Sequence, residues 1–184
     1  MRKSIYYFTM SLDGYITDKN GSVDWMTGAP NIDYGFKDFY DEVGTILLGR
    51  STYEHMLKMG DFFPYPDREI IVFSANDKLR LAAENVQLTQ GDPAKVLARL
   101  QLGAEDEGCI WIGGGGKLAG SLFEAGLIDE LRVFIQPIVL GDGTKALISE
   151  KDITRALEFQ SSKDWDAGIM ELRYIVPKRW RSDI

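Results

Sequence analysis

Four consecutive glycines, Gly113, Gly114, Gly115 and Gly116, separate the apolar run of residues 109–112 from a helical stretch that opens with Lys117 and Leu118 and runs to 127. Strand, side-chain-free turn and helix in that order let main-chain N–H groups approach a ligand closely, and the helix start behind them favours an anion. This pattern points to a phosphate-bearing cofactor or nucleotide. The same glycines would also suit a tight turn with no ligand at all. Gly114-x-Gly116-x-x-Ala119 is a relaxed form of the dinucleotide fingerprint, but it follows the fourth or fifth strand rather than the first. Asp129-Glu130 also precede the next strand instead of ending it. A Walker loop is excluded because Trp111 stands where its first glycine is required.

A second strand-to-helix junction, Gly49-Arg50-Ser51-Thr52, gathers free N–H groups, two hydroxyls and a guanidinium, a set suited to a phosphate. Ser51 and Glu54 have the capping-box spacing and could simply start the helix. Phe73-Ser74-Ala75-Asn76 is a third candidate after a strand. With a single histidine, His55, acid–base chemistry falls to carboxylates. Asp33 opens a short helix beside Tyr34 and Phe36, where helix capping and function are both open readings. Asp13-Gly14 reads first as a turn and second as a ligand contact. Trp25-Met26 could form a substrate lid or a loop anchor. The one cysteine, Cys109, reads as a small core residue, and its solitude excludes an intrachain disulfide and a multi-cysteine zinc site.

These residues need elements to hold them. Residues 4–10 are rich in strand formers and stop at Ser11-Leu12-Asp13-Gly14. Residues 15–30 read as a loop, 33–41 as a short helix, 45–48 as a buried strand and 51–59 as a second helix. A proline-bearing loop over 60–67 leads to strands at 69–73 and 85–89. Asp92 and Pro93 have the N-cap and first-turn chemistry of a helix running to about 102. A long strand over 131–140 is interrupted by Pro137, and strands at 156–162 and 168–176 are joined as a hairpin across 166–168. Alternating strands and helices predict a largely parallel sheet with helices on its faces, and the closing strands add an antiparallel edge. No repeat or linker divides the chain, so a single domain over 1–184 is expected.

At 45% apolar and 27% charged residues, the chain has the balance of a globular protein that buries a core. A net charge of −7 leaves no basic face for a nucleic-acid backbone. The apolar run after Met1-Arg2-Lys3 is too short for a signal peptide, and no segment approaches membrane-spanning length, so a cytoplasmic protein is expected.

Three blocks then carry a family resemblance. They are Thr9-Met10-Ser11-Leu12-Asp13-Gly14-Tyr15-Ile16; Ile46-Leu47-Leu48-Gly49-Arg50-Ser51-Thr52-Tyr53-Glu54; and the stretch from Ile112-Gly113 through Leu127-Ile128-Asp129-Glu130-Leu131 to Pro137-Ile138-Val139-Leu140-Gly141-Asp142-Gly143. With these the chain resembles the dihydrofolate reductase superfamily over nearly its whole length, in the branch that includes the reductase domain of riboflavin biosynthesis. The resemblance implies an α/β, three-layer, dihydrofolate-reductase-like sandwich with a mostly parallel sheet and a C-terminal antiparallel hairpin. It also implies an NADPH-binding reductase. Gly49, Arg50, Ser51, Thr52 and Ser74 would hold the adenosine-side phosphates, Gly113 to Leu118 the pyrophosphate, and Thr9 and Ile16 would flank the nicotinamide. By the family's spacing Asp33 falls where a carboxylate binds the pterin ring and assists protonation. Asp13, Trp25 and Lys37 are the candidate substrate contacts.

Departures from the family shape the expectation. Ala75 follows Ser74 where a basic residue often reads the 2′-phosphate, so the choice of NADPH over NADH rests on Arg50. Lys37 replaces an apolar residue of folate-binding members and could instead face a sugar phosphate. The His-x-Glu and Pro-Cys-x-x-Cys of a zinc deaminase are absent. The expected function is an NAD(P)H-dependent reductase of a small nitrogen heterocycle, resembling 5-amino-6-(5-phosphoribosylamino)uracil reductase, and no metal is expected. The alternatives are a true dihydrofolate reductase and a non-catalytic nucleotide-binding module on the same fold. A homodimer is expected from the long strand at 131–140 and from family members that pair.

Overall fold

The computed structural model describes residues 1–28, 32–58 and 64–178. The first apolar segment becomes the strand β1 (Ser4–Ser11), which lies inside the sheet. After it come β2 (Tyr15–Thr17), α1 (Phe36–Asp41), β3 (Val43–Gly49), α2 (Arg50–Met56), β4 (Glu69–Phe73), β5 (Val86–Thr89) and α3 (Pro93–Gln101). The chain continues with β6 (Cys109–Gly114), α4 (Gly116–Glu124), β7 (Glu130–Gln136), β8 (Thr144–Lys145), β9 (Glu158–Asp164) and β10 (Met170–Ile175). The sheet has eight strands in the order β5-β4-β3-β6-β1-β7-β10-β9. β1 and β3 to β7 are parallel, and the β9–β10 hairpin adds the antiparallel end. Helices on both faces complete the layered, mostly parallel sheet that the alternation of elements predicted, and with it the three-layer sandwich that the resemblance implied.

Strand alternation sorts the core into two halves. Tyr6, Leu47, Ile110, Ile112, Leu131 and Val133 point to the face covered by α3 and α4, where Leu97, Leu118, Leu122 and Phe123 complete one cluster. Ile5, Ile46, Leu48, Ile70, Val72 and Trp111 point to the other face and meet Phe39 of α1 and Tyr53 of α2. Full burial of each such side chain contributes about 1.5–3 kcal/mol. Because the parallel strands share one direction, the carboxyl ends of β1, β3, β4, β6 and β7 all lie on a single rim.

Several boundaries differ from expectation for local reasons. α1 begins at Phe36 rather than Asp33, because Tyr34 (φ 52) and Gly35 (φ 75) adopt left-handed backbone that a helix start cannot include. The capping box at Ser51 does not form: α2 has no side-chain cap, and Glu54 accepts from Arg50 Nε at 2.8 Å instead. β7 stops at Gln136, since Pro137 lacks the N–H that would continue the ladder. Within the expected loop after β1, Tyr15–Thr17 pairs with Thr144–Lys145. The expected helix end at 59 and the first part of the loop at 60–67 lie outside the described residues. Asp92 does cap α3, accepting from Ala94 N at 2.9 Å, with Pro93 in the first turn.

Candidate functional site

The rim opens between β1 and β6. These strands pair only through Ser4–Ile110, Ile5–Trp111 and Tyr6–Ile112, whereas β1 stays paired with β7 from Ile5 to Ser11. Beyond Tyr6 the two strands diverge, and Trp111 Nε1 donates to the Tyr7 carbonyl at 3.1 Å across the gap. A crevice at the carboxyl ends of strands, where neighbours part, is where open α/β sheets hold ligands.

The glycine turns of β3 and β6 meet on one side of this crevice. A Cβ on Gly115 would stand 3.5 Å from Gly49 Cα, and one on Gly114 would stand 3.2 Å from Thr52 Oγ1. Gly114 (φ 140) and Gly115 (φ 100) occupy backbone that L side chains rarely adopt. A Cβ on Gly113 would stand 2.8 Å from Leu48 Cδ2, so that side chain would have to shift, and one on Gly116 is excluded by the Lys145 carbonyl at 2.1 Å. That carbonyl belongs to the segment after β7, which crosses α4 with Ile148 N donating to Gly116 O at 2.9 Å and accepts the Tyr6 hydroxyl at Ala146 O.

Neither α2 nor α4 has a side-chain cap, although Gly114, Gly116 and Leu118 are buried. The first-turn N–H groups of a helix have no acceptor within it, and a buried start without a cap calls for one from outside. An anionic diphosphate fits that need, with the dipole of α4 directed at it. Ser51, Thr52, exposed Lys117 and the guanidinium of Arg50 surround the same place. Ser74, at the end of β4, is engaged in its own turn, accepting from Asn76 N at 3.0 Å.

On the face carrying α1, the outer half of the sheet presents Thr9, Phe134 and Glu171 in register, with Tyr7, Arg132 and Arg173 in the neighbouring row. Arg132 is held by Glu130 at 2.6 Å and Glu42 at 3.1 Å. Glu171 is 3% exposed and accepts from Trp165 Nε1 at 3.1 Å and Arg173 Nε at 2.6 Å. The Trp165 ring packs on Tyr34 and lies 3.5 Å from where a Gly35 Cβ would stand. Trp165 thus ties the start of α1 to β10. Asp33 precedes that turn, exposed, with both oxygens 3.1 Å from Lys37 N.

The predicted site residues therefore do not all converge. Gly49 to Thr52, Gly113 to Leu118, Thr9 and Ser74 share the rim; Asp33 stands exposed before α1, and Ile16 lies on β2, half-buried. Asp13 is tied elsewhere: it accepts from Ser11 Oγ at 2.6 Å, Leu140 N at 3.1 Å and Gly141 N at 2.7 Å. The Ser11 hydroxyl foremost, then these amides, hold its carboxyl down at about 2. Lys37 is 75% exposed and pairs with Asp41 at 2.7 Å. Trp25 donates to Ser22 O, and its loop is anchored where Thr27 N and Oγ1 both donate to Gln136 Oε1. Burial pushes the Cys109 thiol up to about 11, as for a core residue. Among the described residues no cluster of histidine, cysteine or acid could hold a metal ion.

Tyr7, Trp165 and Glu171 were not singled out from the sequence. Alternation from Thr9 could have found Tyr7, but Glu171 looks like one acid on an ordinary amphipathic strand.

Residues 2–170 match the model of the RibD C-terminal domain. The chain belongs to that family. A relative from Bacillus subtilis (strain 168), "Uncharacterized protein YwjB", is 34% identical over 175 residues, covering 95% of this chain and 98% of its own. Among solved structures, a putative riboflavin biosynthesis protein from Shewanella sp. PV-4 superposes with a TM-score of 0.83 at 26% identity, over 95% of this chain and 99% of that one. Dihydrofolate reductase from Enterococcus faecalis, solved with NADP(H), gives 0.66 at 22% identity over 95% and 96%, a likeness of fold. Family and fold are those of reductases. No helix among the described residues is long and apolar enough to cross a membrane.

Proposed function

We propose that this protein is an NADPH-dependent reductase of a small nitrogen heterocycle, similar to 5-amino-6-(5-phosphoribosylamino)uracil reductase. The observation that carries the reading is the pair of uncapped helix starts meeting at Gly49 and Gly115 on one rim. The first-turn N–H groups of α4, with Ser51, Thr52 and Arg50, would receive the pyrophosphate and adenosine-side phosphates. Thr9 and Ile16 would border the nicotinamide. When bound, the reduced nicotinamide would supply the hydride. Asp33 would accept from a ring amidine or ureide N–H and relay a proton through water, and the aromatic floor of Tyr7, Phe134 and Trp111 would exclude solvent. Lys37, exposed and paired with Asp41, would meet a sugar phosphate of the substrate. A homodimer belongs to the same reading.

The bonds from Lys37 N to Asp33 favour a second reading, in which that carboxylate only starts α1 and the protein binds nucleotide without turnover. Fluorescence titration of NADPH and NADH into wild type and Arg50→Ala tests the cofactor assignment. A charge-assisted contact to the 2′-phosphate predicts that Arg50→Ala weakens NADPH by about tenfold and leaves NADH unchanged. Equal affinities unaltered by the substitution would remove the assignment. NADPH binding without oxidation in the presence of 5-amino-6-(5-phosphoribosylamino)uracil or dihydrofolate would favour the second reading.

A further inference from the structure

Two cations on the β9–β10 hairpin keep donors that nothing in the chain engages. Arg173 gives its Nε to Glu171 at 2.6 Å, and among the described residues its two terminal nitrogens make no hydrogen bond or ion pair. Lys163 stands opposite Glu171 in register, with Nζ 3.4 Å from the centre of the Trp165 ring, and pairs with no carboxylate among the described residues. Ser161, opposite Arg173, adds an exposed hydroxyl on the same face.

Glu171 is the residue that arranges them. Buried, with one oxygen on Arg173 Nε and the other on the Trp165 indole, it fixes both a guanidinium and the aromatic plate beneath an ammonium. A guanidinium gripped at Nε keeps its terminal fork for another oxyanion, which the fork meets with two parallel N–H bonds. Around this one carboxylate the cations number two. A carboxylate ligand would be satisfied by the fork alone. A fork with an ammonium beside it suits a dianion, and a phosphate monoester carries nearly two charges at neutral pH. The Tyr7 phenol shows where the seat opens. Burial foremost lifts it above its ordinary value; Glu171 and Asp33 add to the rise, while Arg132 and Arg173 oppose it. Asp33 and Arg173 thus act on one hydroxyl in the crevice floor. Arg132 is already paired with Glu130 and Glu42, which leaves Arg173 and Lys163 as the cations with donors to offer.

We infer that Arg173 and Lys163, with Ser161 beside them, seat a phosphate monoester carried by the substrate at the hairpin side of the crevice. This rests on the reductase reading and adds to Lys37 the residues that grip the substrate's anionic group from the sheet. They act by binding, and the hydride step does not pass through them.

Uridine 5′-monophosphate and uridine differ only in that group. NMR titration of each into wild type, Lys163→Gln and Arg173→Gln is run with NADPH filling the helix starts and again without it. Wild type should bind the monophosphate more tightly than uridine. Each substitution should weaken the monophosphate about tenfold and leave uridine and NADPH unchanged. Arg173→Gln strips a partner from buried Glu171; if it does not fold, Lys163→Gln, on an exposed strand, still decides. Equal affinity of wild type for the two probes, no binding of the monophosphate, or a monophosphate gain that survives either substitution in a folded protein would overturn the inference. Failure of NADPH to bind would sink the cofactor reading alone, because the titrations without it still read the seat.

Discussion

Gly49 differs from the other rim glycines in what a methyl group would meet. Its φ of −74 is open to alanine, and a Cβ there would find Gly114 O at 3.5 Å, Gly115 Cα at 3.7 Å and Leu118 Cβ at 3.9 Å, all ordinary contacts. Gly49→Ala should therefore fold with stability changed by less than about 1 kcal/mol, and bind NADPH more weakly by about tenfold if the diphosphate lies between the two turns. Thermal melts beside fluorescence titration check both halves, and unaltered affinity would return this glycine to packing alone. Gly115→Val should also weaken NADPH binding, but at φ 100 it adds about 1–3 kcal/mol of backbone strain, so its affinity must be read beside its melting temperature. The glycine run was legible in the sequence because four residues without side chains have few uses. Asp13 was legible as a turn and less so as a clasp, since the amides of Leu140 and Gly141 that fill it come from a segment far along the chain.

That clasp joins the turn after β1 to the segment after β7. A carboxyl held near 2 when folded and near its ordinary value of about 3.9 when unfolded stabilises above the upper figure and loses the contribution as pH falls toward the lower. Asp13→Asn should thus lower the melting temperature at neutral pH, with the deficit shrinking between about pH 4 and pH 2; a pH-independent gap would disprove the linkage. β10 and α1 meet through a second clasp, Glu171–Trp165 against Gly35. Trp165→Phe keeps an aromatic ring but removes the donor to a buried carboxylate together with the indole atoms that meet Gly35, which should cost at least about 1–3 kcal/mol. Because Trp165 steadies the turn that carries Asp33, KM for a heterocyclic substrate should rise while NADPH affinity holds. A change confined to NADPH affinity would count against this coupling. Sequence placed β9 and β10 within a residue or two, yet said nothing of this role, because what Glu171 faces depends on α1, joined to it only in the folded molecule.

At the scale of the whole molecule, β9 closes the sheet with all seven of its residues exposed, including Phe159 at 58%. An edge strand bare on both faces invites cover, and sedimentation at micromolar concentration should find twice the chain mass. A species of single-chain mass would refute the pairing. The alternating pattern of elements was enough to read the layers and the parallel rim, whereas strand order was hidden, because β1 draws its neighbours from residues 110–112 and 130–136. That arrangement has a cost during synthesis. The strand β1, Ser-Ile-Tyr-Tyr-Phe-Thr-Met-Ser, must wait for about a hundred further residues to be made before either flank is covered. Until then its apolar edges are open to a neighbouring nascent chain, so expression at high temperature, without a chaperone to shield that opening strand, should yield aggregates from a sequence whose finished fold is sound.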